Sequence, residues 1–213
     1  MAAMSIAFVN TKPGTGKSTS AVWLAHAFTE AGRPVLLVDA DPAASVLEWS
    51  DLAGGFPFRV AGLPVRDLHR RIPDFARPDD VVIIDSGQLE DHAGIARSAL
   101  RFADEVVIPC APTVVEISRT APMRNEIEDI NAGRPVPARS VVLLNRTVSR
   151  ANSTKEARAA LEAAGMDVLR TTVPRLELYA QSYAGPIQLG PGDVWADVAR
   201  DLMERAGIAK VAQ

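Results

Sequence analysis

Short apolar runs alternate with helix-spaced apolar positions along most of the chain. Residues 5–10 (SIAFVN) form an apolar run that stops at a loop containing Gly and Pro. From 18 to 30, Val22, Leu24, Ala25, Ala27 and Phe28 follow helical spacing, and Gly32 ends the pattern. Residues 35–38 predict a buried strand ending in Asp39, and 43–52 a helix closed by Gly54 and Gly55. A weak strand at 58–60 and an amphipathic helix at 65–75 follow. The clearest strand is 81–84, a run of β-branched residues ahead of Asp85. Beyond it, the pattern predicts a helix at 93–102, a strand at 105–109 and a helix at 117–130 with a proline near its start. A strand at 140–144, a helix at 154–164, a strand at 168–172 and a helix at 194–206 complete the series.

This alternation predicts an α/β fold: a doubly wound, mainly parallel sheet with helices on both faces. The strands read as continuous apolar runs, as strands buried on both faces do. A length of 213 residues, set against about 150 residues per domain, predicts one domain, 1–213. The 23 Lys and Arg against 26 Asp and Glu leave a net charge of −3, which excludes a supercharged nucleic-acid tail. No apolar run approaches the roughly 18–20 residues that span a bilayer, so no membrane association is expected. No charged region precedes an apolar stretch at the N-terminus, so no secretory signal is expected either. The single cysteine, Cys110, excludes an internal disulfide framework and any cysteine-rich metal site, and a reducing, cytoplasmic home follows.

The strongest chemical signal is the first loop, Asn-Thr-Lys-Pro-Gly-Thr-Gly-Lys-Ser-Thr, at 10–19. Gly14, Thr15, Gly16, Lys17 and Ser18 lie between a predicted strand and a predicted helix. Glycines there let successive backbone N–H groups turn toward one anion, and the helix N-terminus adds partial positive charge. Lys17 is placed to reach β- and γ-phosphates, and the Ser18 hydroxyl to ligate Mg²⁺. Asp85, ending an apolar strand, is a carboxylate that needs a strong partner, and Mg²⁺ is that partner in P-loop enzymes. Asp39 and Asp41 lie two residues apart at a strand end, so extended geometry projects them to one side.

Lys12 ahead of Gly14-Thr15-Gly16-Lys17-Ser18 resembles the deviant Walker A loop of the ParA/MinD ATPases. The stretch from Val35 through Asp39-Ala40-Asp41-Pro42 resembles that family's second signature, and Val81 through Asp85-Ser86 its Walker B strand. Ala103 to Pro109 with Pro112-Thr113, and Leu143-Leu144-Asn145-Arg146, resemble two later segments, in the right order. Pro13 stands where the family usually has Gly, Ala43 where many ParA proteins have Gln, and Gly87-Gln88 where Pro is usual.

The resemblance implies a P-loop NTPase fold that binds ATP and Mg²⁺ through Lys12, Pro13, Gly14, Thr15, Gly16, Lys17, Ser18 and Thr19. Ser18, Asp85 and Asp39 would serve the metal. Asp41 would orient the attacking water, with Asp39 organising the site. Lys12 would reach the partner's nucleotide across an ATP-bound homodimer. Asn145 would meet the adenine, with Pro174 against the base. The implied role is a nucleoid-associated partition ATPase, stimulated by a centromere-binding or cargo-adaptor protein. Rival readings are a MinD-like ATPase, disfavoured because 205–213 (RAGIAKVAQ) carries no aromatic residue; a nonhydrolysing nucleotide-gated scaffold; and a dethiobiotin synthetase relative.

Charge is segregated along the chain: residues 1–60 balance at −1, 61–138 at −4 and 139–213 at +2. Arg139, Arg146, Arg150, Lys155, Arg158, Arg170 and Arg175 are the expected contacts for nonspecific DNA, on late strands that would share one sheet edge. The competing expectation is a surface whose cations pair locally, for instance Lys155 or Arg158 with Glu162. No aromatic residue interleaves with these cations, so phosphate contact rather than base stacking is the expected mode. Cys110 is expected to be an inert core thiol, His69 a solvated surface residue, and Trp23, Trp49 and Trp195 core residues.

Overall fold

The computed structural model describes residues 2–208. Six strands, β1 (Met4–Phe8), β2 (Val35–Ala40), β3 (Arg59–Gly62), β4 (Val81–Ser86), β5 (Glu105–Cys110) and β6 (Arg139–Leu144), form one sheet. Their order is β3-β2-β4-β1-β5-β6, and every neighbouring pair is parallel. The helices among the described residues are α1 (Lys17–Glu30), α2 (Ser45–Leu52), α3 (Leu68–Phe75), α4 (Leu89–Phe102), α5 (Val114–Ser118), α6 (Thr120–Asn131), α7 (Asn152–Ala163), α8 (Glu177–Ala180) and α9 (Val194–Arg205).

Alternate residues of the strands feed two separate cores. Ile6, Phe8, Leu37 and Ile83 pack with α1 and α9 on one face. Ala7, Leu36, Val38, Val82 and Ile84 pack with α3, α4, α6 and α7 on the other. Burial on both faces is why these strands are apolar throughout rather than at every second position. Each fully buried aliphatic side chain contributes about 1.5–3 kcal/mol. The chain leaves β1 toward β3 and returns through β4 to β5 and β6 on the opposite side. A crevice therefore opens at the carboxyl ends of β1 and β4, between helices on opposite faces. No helix among the described residues is long and apolar enough to cross a membrane. Of the C-terminal stretch 205–213, residues 209–213 lie outside the described residues.

Three expectations are corrected. Residues 168–172 are not a strand: Val168 makes one isolated bridge to Val142. The carbonyls of Val168, Leu169 and Arg170 are taken by the Arg158 guanidinium at 3.3, 2.8 and 3.2 Å. The Thr171 amide goes to Asp201 at 2.9 Å, so side chains replace a seventh strand's ladder. The helix expected at 117–130 is two helices divided at Arg119. Pro122 has no N–H to offer the carbonyl of Ser118, and a first-turn position in α6 tolerates that loss. The third is a boundary: the helix expected at 93–102 is the regular part of α4, and a separate turn from Leu89 precedes it across a kink at non-helical His92.

His26 on α1 is buried, its Nε2 has no partner, and the rings of Phe56 and Phe58 meet it edge-on at 5.4 and 4.9 Å. Burial pushes its pKa down to about 4. The folded state therefore refuses a proton that the unfolded chain accepts near pH 6.5. Stability from this group is fully present above pH 6.5 and falls as pH drops toward 4. His26→Met should remove that loss, on the order of 2 kcal/mol at pH 4. Urea unfolding of both proteins at pH 7 and pH 4.5 checks it; equal acid sensitivity contradicts it.

Candidate phosphate and nucleoside site

The loop at 9–16 joins β1 to α1 at the crevice. Helix α1 starts at Lys17 with no side-chain cap and no acidic residue in its first turn. Its leading amides and its dipole are thus left for an external anion. Gly14 and Gly16 take φ of +74° and +91°. A Cβ on Gly16 would lie 2.9 Å from the Asn145 Nδ2, so only glycine fits there.

Lys17 is buried and its Nζ donates to the Lys12 carbonyl at 3.5 Å. Burial lowers its pKa, while Asp85 and Asp41 act in the opposite direction. Asp85 at the end of β4 is fully buried, and neither carboxylate oxygen has a hydrogen-bond partner. Burial pushes its pKa up to about 7. The Ser18 hydroxyl opposes this without completing a hydrogen bond; Asp39, its register partner on β2, adds to it. Thr15 Oγ1 is also buried without a partner.

Asp39 and Asp41 divide rather than share a side, because β2 ends at Ala40 and strand alternation stops there. The Asp39 carboxylate accepts the amides of Val46 and Leu47, each at 3.0 Å, and of Asp41 at 3.2 Å. It thereby caps α2, whose own first position is Ala44 in a left-handed turn. In this structure the Asp39 carboxylate holds the backbone of the β2–α2 connection. Asp41 faces the phosphate side, and its Oδ1 accepts the Ala43 amide at 3.0 Å.

Two cavities meet over the loop. One, of about 450 Å³, is lined by Pro13, Gly14, Lys17, Ser18, Asp41 and Gln88, among others. The second, of about 410 Å³, is lined by Asn145, Pro174, Arg175, Leu176, Tyr179 and Trp195, among others. Asn145 Nδ2 donates to the Thr15 carbonyl at 2.8 Å, while its Oδ1 is buried and unpartnered. One of the two amide N–H groups is thus used on the loop, and the Oδ1 acceptor is left for an amino group. Lys12 is half-exposed, and its Nζ lies 3.7 Å from Glu90. Glu90 belongs to the first turn of α4, whose Leu89 and Glu90 amides donate to the carbonyls of Asn10 and Thr11 at 3.0 and 3.1 Å.

Sequence reasoning missed Ser45 and His92 on the phosphate side, and Tyr179 and Trp195 on the other. Trp195 is core, as expected, yet its Nε1 has no partner. Nothing in a helical pattern marks such a ring as a cavity wall. Cys110 is buried with its thiol pushed up to about 12, an inert group. His69 is partly exposed, with its Nδ1 2.6 Å from the Ser98 hydroxyl.

The expected cation patch is dispersed. Arg139 pairs with buried Glu105, Arg158 with Glu162, and Arg170 with Asp201 and Glu204. Arg146 and Arg175 line the cavities. Arg150 and Lys155 are left exposed.

No cluster of three His, Cys, Asp or Glu side chains among the described residues forms a metal cage by itself. Mg²⁺ does not need one: it takes one or two protein ligands and completes its shell with phosphate oxygens and water. The orphaned Asp85 carboxylate beside Ser18 fits that mode, and the uncapped loop fits the phosphates.

The CbiA profile, described as the CobQ/CobB/MinD/ParA nucleotide binding domain, matches residues 6–185. The chain is 29% identical over 182 residues to maintenance of carboxysome distribution protein A of Halothiobacillus neapolitanus, covering 83% of this chain and 82% of that one. In structure it resembles the ATP complex of Cyanothece McdA, with a TM-score of 0.75 at 15% identity, covering 99% and 98% of the two chains. It equally resembles cobyrinic acid a,c-diamide synthase from Mycobacterium smegmatis with an ATP analogue and magnesium: TM-score 0.75, 19% identity, 99% and 98% coverage. At those identities the structures speak to the fold alone.

Asp85→Asn replaces an orphaned buried carboxylate by a neutral amide of the same shape. The nucleotide-free protein should gain on the order of 2 kcal/mol at pH 8, while Mg²⁺ should no longer tighten its nucleotide binding. Chemical denaturation and calorimetric titration check the pair. A less stable variant that keeps its Mg²⁺ response contradicts the assignment.

Proposed function

Because the chain belongs to the CobQ/CobB/MinD/ParA family of nucleotide-binding domains, we propose that it is a Mg²⁺-dependent ATPase that dimerises around ATP and positions a cargo. One observation carries the reading. The uncapped start of α1, with Ser18 in its first turn, and the orphaned Asp85 lie side by side, where a Mg²⁺–triphosphate would satisfy both. The loop amides, Lys17 and Ser18 hold the phosphates, and bound Mg²⁺ neutralises charge shared by the β- and γ-oxygens. Asp41, facing the phosphate cavity with its second oxygen uncommitted, orients water for in-line attack. Lys12 leaves Glu90 to reach the phosphates of a second subunit. Asn145 and Pro174 hold the adenine.

The relative named for carboxysome distribution supports an adaptor-linked cargo in the cytoplasm; plasmid partition is the narrower alternative. Nonspecific DNA serves as the track, contacted through Arg150 and Lys155 and doubled by dimerisation. With few cations free, the salt dependence is shallow, about one unit of log–log slope per phosphate contact.

Size exclusion with light scattering tests the cycle. The wild type should be monomeric with ADP and dimeric with ATP–Mg²⁺, and Asp41→Ala should accumulate as the ATP dimer. An oligomeric state indifferent to nucleotide contradicts the sandwich. In gel shifts at low salt, ATP should promote duplex binding, and Arg150→Ala with Lys155→Ala should abolish it without affecting dimerisation. ATP-bound dimer that ignores DNA leaves a protein-only scaffold.

A further inference from the structure

We propose that Arg146 is a nucleotide-binding residue: its guanidinium contacts the phosphate nearest the nucleoside, from the same subunit that supplies the loop. This rests on the nucleotide reading of the site. It also replaces the DNA contact that the sequence suggested for this residue.

Arg146 adopts a φ of +51°, a left-handed backbone that few described residues other than glycine share. An L side chain pays for that conformation, and glycine does not. The turn is forced from both sides. Asn145 is buried, with its amide on the Cys110 carbonyl at 2.9 Å and its side chain on Thr15. Thr147 is buried, donating its amide to Val173 at 3.1 Å and accepting the Arg175 amide at 2.9 Å. Between these two anchors, residue 146 must turn outward. Backbone strain held in place by its surroundings concentrates at functional positions. Here a glycine would relieve the strain but lose the side chain.

That side chain lies over the loop. Its Nη2 is 4.0 Å from where a Cβ on Gly16 would stand. Arg146, Gly16 and Thr19 line both cavities, so they mark the passage from one to the other. A nucleotide with its base beside Asn145 and its terminal phosphate beside Asp41 crosses that passage at its inner phosphate. Arg139, Arg158, Arg170 and Arg205 are each paired with a carboxylate, whereas Arg146 has no such partner among the described residues. Its charge is permanent, and its N–H groups suit phosphate oxygens. Mouth position, free charge and strain point to one ligand chemistry.

Calorimetric titration of wild type, Arg146→Gly and Arg146→Lys with ATP, ADP and adenosine tests this, beside thermal unfolding of the nucleotide-free proteins. Arg146→Gly should weaken ATP and ADP by the same factor, roughly tenfold or more. Adenosine affinity should not change, and the melting temperature should hold or rise. Arg146→Lys should recover part of the lost affinity. Unchanged affinities overturn the proposal, as does a loss confined to ATP, which would put the contact on the terminal phosphate. An equal loss for adenosine also overturns it, by placing the contact on the nucleoside. A wild type that binds neither ATP nor ADP overturns the site reading itself, which separates the two failures.

Discussion

Asp85 ends the central part of the sheet with a carboxylate to which the protein gives no hydrogen bond. A buried charge without a partner is among the most destabilising features a fold can carry. The group is held there by β4, paired on both sides by β1 and β2, so it cannot turn away to water. Its surroundings fit the proposed cation and the anion that would bring one. The Ser18 hydroxyl lies beside it, and the uncapped start of α1 supplies the complementary donors. The neighbouring strand's Asp39 pushes its pKa further up.

The two aspartates of β2 and its exit show how the surroundings are built. A carboxylate at position 39 caps α2, because the residue in the cap position, Ala44, has no polar side chain to do so. That cap fixes the turn carrying Asp41 into the cavity over the glycine loop. Asn145 does similar work on the other side, donating to the loop carbonyl of Thr15 and pressing against Gly16. Loop, strand ends and cavity walls are therefore one connected polar structure, not separate motifs that happen to be near.

Much of this was legible in the sequence, for physical reasons. Strands buried on both faces must be apolar throughout, so β1, β2, β4 and β5 stood out. The loop needs glycines, a lysine and a hydroxyl at fixed spacing, and nothing else satisfies that need as compactly. What was not legible depends on partners distant in the chain. Residues 168–172 looked like a strand by composition, but Arg158 and Asp201 occupy the groups a strand partner would use. Local pairing within the cationic patch was hidden for the same reason: Glu105, buried at the start of β5, draws in Arg139, while Asp201 and Glu204 draw in Arg170. Arg146 read as one more surface cation, because only the pinning of residues 145 and 147 turns it over the loop.

The central claim is that Asp85 and the glycine loop together form a site for a Mg²⁺-bound nucleoside triphosphate. Calorimetric titration of ATP into the nucleotide-free protein, with Mg²⁺ and again with a chelator, tests it most directly. The account predicts saturable binding of one ATP per chain that weakens markedly when Mg²⁺ is removed. ATP binding that is absent in Mg²⁺, or equally tight with the chelator, would contradict it.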